Sequence, residues 1–356
     1  MKMIFRWFPN GDDSVTLKEI KQIPGMTGVA TCLPNIPVGE VWSYEDIRAV
    51  KRDVNDAGLE MEGIESVNVH EDIKKGLASR DALIENYIAT VKNLHEAGVK
   101  CVCYNFMPVM DWARSDLNEP LGDGSTAMSY CHETVLKMNP NAMADAMSHS
   151  SGGFSLPGWE PERFPQMAKD IEFYRGMTTE QYWSNIKYFL DALMPYADMY
   201  DMNFAIHPDD PPWPLYGLPK VITSDATIRS FLSLNENKRN CLAFCTGSLG
   251  ADPANDLPAM IRRFGGEGRI HFAHVRNIKH TSPTDFHETA HLTDCGDLDM
   301  FEIVKALYDS GFDGYIRPDH GRMIWDENGR PGYGLYDRAI GSNYILGLWE
   351  AIKKLS

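Results

Sequence analysis

The feature that most constrains this chain is a repeated change of period. Short runs rich in β-branched and aromatic residues alternate with longer runs whose apolar residues recur at helical spacing. Met3 to Trp7, Gly28 to Leu33, Leu59 to Glu65, Val99 to Phe106, Asn203 to His207, Cys241 to Cys245, Arg269 to Val275 and Gly314 to Arg317 read as strands. Helical runs follow near Thr16 to Gln22, Ser43 to Ala57, Ser79 to Ala97, Thr179 to Pro195, Ser224 to Asn235, Asn255 to Phe264, Leu298 to Ser310 and Tyr336 to Lys354. Ser43 has the chemistry of an N-cap, with Asp46 at the third helical position, and Gly98 and Gly311 close their helices. Strands separated by helices pair in parallel, because a parallel connection needs a crossover. Eight such units in 356 residues, with no Gly-x-Gly-x-x-Gly at the first helix, predict an α/β fold of the TIM (β/α)8 type rather than an open doubly wound sheet.

The alternation lapses over residues 108–176, after the fourth strand. This stretch holds Trp112, Asp116, the turn Gly122-Asp123-Gly124, a Met-rich run from Met138 to Met147, and Gly152-Gly153. Connections of that length are usually lids or binding loops. The expectation is one barrel domain spanning 1–356 with an inserted helical cap at 108–176; a separately folded domain is the other reading. A later loop carries His280, His287 and His291, for which a solvated role is the default.

Charge and composition narrow the function classes. A net charge of −16 opposes a nucleic-acid partner, since phosphate binding needs a basic surface. No apolar run reaches the roughly 18 residues of a membrane helix. Met1 leads into Phe5-Arg6-Trp7-Phe8 rather than a signal peptide, so a cytoplasmic location is expected. Seven cysteines without a Cys-x-x-Cys pair suit reduced core thiols better than a disulfide framework or a zinc knuckle.

The strand ends carry the chemistry. Ala205-Ile206-His207 stops at Pro208-Asp209-Asp210-Pro211-Pro212, and three later strands end at Cys245, at His274 and at Arg317-Pro318-Asp319. In a barrel of this type active sites lie at the C-terminal strand ends. Each residue has a bland alternative: a packed imidazole, a buried thiol, an N-cap aspartate. Their conjunction at four successive barrel strands points to a metal held by His207, Cys245, His274 and Asp319. Side chains alternate along a strand, so His207 shares a face with Ala205, Cys245 with Ala243 and Cys241, and His274 with Phe272, while His271 faces the helices. Ligand softness favours Zn²⁺ or Fe²⁺ over Mn²⁺. Arg276, two residues beyond His274, could clamp a carboxylate or form a surface ion pair. Asp209 and Asp210 could orient neighbouring ligands or cap a turn. His320 and Tyr333, the latter in Pro331-Gly332-Tyr333-Gly334, are candidate proton-transfer groups, with plain packing the alternative for Tyr333.

Together, Arg6-Trp7-Phe8, Gly39-Glu40-Val41-Trp42, Gly63 to Val67, His207 to Pro212, Phe244 to Ser248, Asn255-Asp256-Leu257, His287 to His291, Arg317 to Gly321 and Pro331 to Tyr333 resemble the mannonate dehydratases of the hexuronate pathway. The likeness runs from the first strand to the last helix; Pro9, where glycine is expected, and Pro34-Asn35 depart from it. The resemblance implies a xylose-isomerase-like TIM barrel that dehydrates D-mannonate to 2-keto-3-deoxy-D-gluconate in glucuronate catabolism. It also implies Mn²⁺ or Fe²⁺ on the same four ligands. Losing water from an aldonate requires removal of the C2 proton and expulsion of the C3 hydroxyl. Tyr333, His320 and Asp319 are the candidates for proton transfer, with acid and base unassigned. Arg276, Arg6, Glu65 and Asn105 are the substrate-binding candidates. The expected partner is a small sugar acid, with neither nucleic acid nor membrane, and the expected state is a homo-oligomer of two or more subunits. The alternatives are a metal-dependent sugar isomerase or epimerase on the same barrel, and a sugar-acid binding protein without turnover.

Overall fold

Twelve strands are formed among the described residues: β1 (Lys2–Arg6), β2 (Gly28–Thr31), β3 (Glu60–Glu65), β4 (Cys101–Tyr104), β5 (Asp116–Pro120), β6 (Thr126–Tyr130), β7 (Asn203–Ile206), β8 (Asn240–Cys245), β9 (Ile270–His274), β10 (Asn277–His280), β11 (Phe286–Thr289) and β12 (Tyr315–Arg317). The computed structural model describes residues 1–138, 147, 149–154, 156, 158–159 and 163–356. Eight parallel strands close into a barrel in the order β1-β12-β9-β8-β7-β4-β3-β2. This is the (β/α)8 architecture expected from the alternation. The register sets Cys245 opposite His274, and His274 opposite Arg317, so three chemically active side chains stand in one row.

Two cores follow from the alternation of side chains across each strand. Inside the barrel, Ile4, Ala30, Cys101, Cys103, Ala205, Cys241, Ala243, Phe272 and Tyr315 form a closed cluster. Small residues dominate because eight strands leave little room at the axis. Outward-facing Phe5, Val29, Ile64, Val102, Phe204, Leu242 and Ile316 join the larger core beneath the helices. The helix Tyr44–Asp56 buries Ile47, Val50 and Val54, and Ser43 caps it by accepting from the Asp46 amide. The helix Thr179–Met199 opens with a Thr178–Gln181 capping box and runs past Pro195. Its buried stripe continues through Leu193, Met194 and Ala197, and that packing offsets the hydrogen bond proline cannot make.

The segment expected as a helical cap is not purely helical. It contributes the helices His132–Lys137 and Phe164–Arg175, but also the antiparallel pair β5–β6. The later His-rich stretch, expected as a loop, forms the pair β10–β11, and the two pairs join in a four-stranded sheet ordered β10-β11-β6-β5. An isolated two-stranded pair is marginal in water, so neither half declares itself alone; each is completed by a partner far away in sequence. Bridges from Trp112 to Asp210 and from Thr126 to Met323 fasten this sheet over the C-terminal mouth of the barrel. Residues 139–146 of the Met-rich run lie outside the described residues. Among the described residues, no helix is long and apolar enough to cross a membrane.

Candidate metal centre and active site

His207 follows β7, Cys245 and His274 end β8 and β9, and Asp319 stands two residues beyond β12. Ligand atoms of His207, Cys245 and His274 all lie within 4.8 Å of one another. Cys245 Sγ is 3.4 Å from Asp319 Oδ2, so the fourth candidate borders the cluster. Asp319 takes a φ of 48°, a left-handed conformation that the short polar side chain of aspartate tolerates. His207 Nδ1 is 2.7 Å from the Pro208 carbonyl and donates to it, which leaves the Nε2 lone pair for a cation. His274 is fully buried, and its Nε2 makes no hydrogen bond among the described residues, with Glu65 Oε2 3.5 Å away. A buried imidazole nitrogen without a hydrogen bond, beside a thiol, a second imidazole and a carboxylate, has the chemistry of a metal ligand.

Electrostatics agree with that fit. Burial and Asp319 push the Cys245 thiol up, but Arg276 and hydrogen bonds from His207 and His274 outweigh them and hold it at about 5. Burial lowers His207, yet Cys245, Asp319 and Glu65 carry it up to about 9. A thiol so lowered beside two imidazoles and the Asp319 carboxylate is a donor set that suits a divalent cation.

Around the ligands lies a network of buried arginines and carboxylates. Arg276 does not present a free guanidinium to substrate, contrary to the expected clamp. Its Nε donates to Asp319 at 2.6 Å, its Nη1 to Glu288 at 3.0 Å and its Nη2 to Asp210 at 2.8 Å. Gly247 permits this seat, since a Cβ there would fall 2.4 Å from Arg276 Cζ. Arg114 grips Asp210 through two bonds of 2.8 and 3.0 Å and reaches Glu288 at 3.0 Å. Arg317 binds Glu65 through Nε and Nη2 at 3.0 and 2.7 Å, while its Nη1 lies 2.8 Å from Asp319. Burial opposes ionisation of these acids, but the surrounding cations hold Glu65, Asp210 and Asp319 well below the usual carboxylate range.

On the open side, His320 Nε2 is 3.0 Å from the Tyr333 hydroxyl and His320 Nδ1 is 2.9 Å from Glu288 Oε1. Burial raises Glu288 while His320, Arg276 and Arg114 bring it down to about 2. Arg338 donates to the carbonyls of Arg6 at 3.1 Å and Gly334 at 2.7 Å, and also to that of Tyr333, which ties the tyrosine loop to β1. Arg6 bonds the Trp7 and Ala30 carbonyls and Cys32 Sγ. A cavity of about 210 Å³ is lined by Arg6, Glu65, Asn105, His207, Arg276, Asp319, His320 and Tyr333. Cys245 and His274 sit below its floor.

Several residues escaped the sequence reading. Glu288, Arg114, Arg317 and Ser248 anchor the network, and only the position of Arg317 within a barrel strand could have signalled it. His291 was expected in solvent; it is buried, and its Nε2 lies 2.7 Å from the Pro318 carbonyl, where it braces the corner before Asp319. His280 and His287 remain peripheral, on Asp297 and on the Glu288 carbonyl respectively.

A family model described as D-mannonate dehydratase (UxuA) matches residues 1–356. The chain belongs to the mannonate dehydratase family. It is 53% identical over 355 residues to a mannonate dehydratase of Thermotoga maritima, covering 100% of this chain and 99% of that one. A solved mannonate dehydratase from Streptococcus suis serotype2 superposes with a TM-score of 0.89 at 43% identity, over 100% of this chain and 94% of the other. A xylose isomerase domain protein from Planctomyces limnophilus, 12% identical with a TM-score of 0.55 over 99% of this chain and 98% of its own, shares the barrel fold. Mannonate dehydratases are metal-dependent hydro-lyases, and the thiolate, imidazole and carboxylate donors gathered here fit a divalent transition metal. D-Mannonate dehydration, rather than sugar isomerisation or ligand binding without turnover, is accordingly the activity of this chain.

Proposed function

We propose that this mannonate dehydratase converts D-mannonate to 2-keto-3-deoxy-D-gluconate within hexuronate catabolism, using Mn²⁺ or Fe²⁺ held by His207, Cys245, His274 and Asp319. The observation that carries the reading is the gathering of these four side chains at neighbouring strand ends, facing the His320–Tyr333 pair across one cavity. When bound, the ion supplies Lewis acidity, which lowers the cost of negative charge on the substrate carboxylate and C2 oxygen.

The remaining work belongs to the chain. Glu288, ionised and only able to accept, fixes the His320 proton on Nδ1 and leaves Nε2 as a base. His320 Nε2 takes the C2 proton, and Glu288 stabilises the resulting imidazolium. Burial pushes Tyr333 up to about 12, so its phenol stays protonated at neutral pH and donates to the departing C3 hydroxyl, which leaves as water. The C2–C3 enol then tautomerises to the 2-keto acid. His320 returns its proton to Tyr333 across their 3.0 Å contact. Asp319 is a poor proton acceptor, because Arg276 and Arg317 engage both of its oxygens; its negative charge would serve as the fourth donor to the ion. Arg6 and Asn105, with bonding capacity facing the cavity, bind substrate hydroxyls or carboxylate, and Arg276 orders the carboxylates below.

A reducing cytoplasmic setting suits a thiolate ligand accompanied by six other free thiols. Exposed Trp325, Tyr336 and Ile340 favour a homo-oligomer, since large apolar side chains grouped at a surface usually mark a contact. The deciding experiment adds Mn²⁺, Fe²⁺ or Zn²⁺ in turn, without oxygen, to metal-depleted protein with D-mannonate, and follows 2-keto-3-deoxy acid. Product dependent on Mn²⁺ or Fe²⁺ is expected. No product with any metal, in protein shown to bind that metal, overturns the assignment.

A further inference from the structure

One carboxylate in the cavity is unused by the network and by the mechanism. Asp111, carried by the segment inserted after β4, is only 6% exposed. Among the described residues it makes no hydrogen bond and no ion pair, and it lines the active-site cavity. Its oxygens are not sealed in protein but open to the cavities, so the carboxylate is available to something that enters there. Its seat is built: at Gly158, whose φ is 82°, an added Cβ would lie 2.8 Å from both Cβ and Oδ2 of Asp111, so only glycine leaves that room.

The place of Asp111 specifies what it would meet. In the closed barrel order β2 and β3 stand opposite β8 and β9, which end in Cys245 and His274, while β4, which Asp111 follows, stands opposite β12 and three places from β9. A second cavity of about 350 Å³ opens on that side, and the two share Asn68, His70, Asn105 and Asp111. His70 Nδ1 accepts from the Asp72 amide at 3.1 Å, which puts the ring proton on Nε2. Asn105 makes no hydrogen bond to a described residue. Where the cavities meet, Asp111 stands as an acceptor beside the neutral amides of Asn68 and Asn105 and the imidazole of His70, a set complementary to hydroxyls, while Lys74, Lys75 and Arg163 of the second cavity are engaged by Glu71 and Asp170.

We propose that Asp111 is a specificity-determining residue that accepts a hydrogen bond from the distal C6 hydroxyl of the aldonate, with Asn105 beside it, while the carboxylate end lies at the metal ligands. This rests on the D-mannonate reading above. Asp111 thus measures chain length: a six-carbon acid reaches it and a shorter one does not.

The test compares D-mannonate with D-lyxonate, which keeps the C2 to C4 configuration and lacks the last carbon, as substrates or competitive inhibitors of the metal-loaded enzyme. Wild-type enzyme should prefer D-mannonate by about 10- to 100-fold in kcat/KM or binding, the usual effect of a hydrogen bond to a charged group. In Asp111→Asn the loss should fall on D-mannonate, mainly in KM, with D-lyxonate and metal content unchanged, so the preference collapses. Equal losses for both acids, a loss confined to kcat, or a variant indistinguishable from wild type overturns the assignment. If the variant does not fold, the wild-type comparison decides alone, and equal use of the two acids rejects it. Product from D-mannonate without discrimination defeats the Asp111 role only; failure of wild-type enzyme to bind or turn over D-mannonate defeats the dehydratase reading and this one with it.

Discussion

At the residue scale, two side chains carry predictions that separate metal binding from proton transfer. Tyr333 touches His320 and no metal candidate, so Tyr333→Phe should lower kcat by about 100-fold or more, in the range general acid catalysis supplies, while metal content and KM stay near wild type. Initial rates of 2-keto-3-deoxy acid formation beside elemental analysis check this, and wild-type turnover would remove Tyr333 from the chemistry. His207 sits at about 9 in the metal-free protein, and Cys245 at about 5. Between pH 6 and 8 the thiolate is already formed, whereas the imidazolium must lose its proton to the entering ion. Metal affinity should therefore climb about tenfold per pH unit across that window, because one proton is released per ion bound. Competition titration with a chelator at several pH values measures the slope; a flat profile would exclude His207 as a ligand. That His207, Cys245, His274 and Asp319 come together was legible, because each ends or closely follows a recognisable strand. That Arg276 faces three carboxylates instead of substrate was not, because nothing in Val275-Arg276-Asn277 records the acids waiting around it.

At the element scale, the eight barrel strands showed themselves through hydrophobic runs and capped helices, while β5, β6, β10 and β11 did not. Their sequences are short and mixed, and their pairing joins segments far apart, for example Phe286 with Tyr130. What fixes this sheet to the barrel is Arg114, fully buried between Asp210 and Glu288. Removing one partner of a buried ion pair typically costs about 3–5 kcal/mol, since the opposite charge stays buried. Arg114→Ala should lose stability on that scale in chemical denaturation and impair catalysis by releasing Glu288 from behind His320. Lysine should rescue little, because it cannot reproduce the forked grip on Asp210. A fall of under about 1 kcal/mol, the range of exposed pairs, would show that the sheet is held by something else.

At the scale of the whole molecule, buried acids set the response to pH. Glu71 and Glu288 are brought to about 2 against the upward push of burial, by Lys74 and Arg163 in one case and by His320 and Arg276 in the other. Glu65, Asp210 and Asp319 lie lower than usual as well. Each folded value is below its unfolded one, near 4, so the stabilisation is complete above about pH 4 and is lost as pH falls toward 2. The urea midpoint of metal-free protein should decline gently between about pH 6.5 and 5, where Cys245 begins to take up its proton, and drop steeply below 4; a midpoint level from pH 4 to 3 would contradict it. The sequence by itself determined the (β/α)8 barrel and the gathering of His207, Cys245, His274 and Asp319 at its strand ends, because those depend on local periodicity and on residue types at strand ends. Only the tertiary structure decided which charges face one another, that a four-stranded sheet roofs the mouth, and that Asp111 is left without a partner. Contacts between distant segments are fixed by closure of the barrel, and no local pattern encodes them.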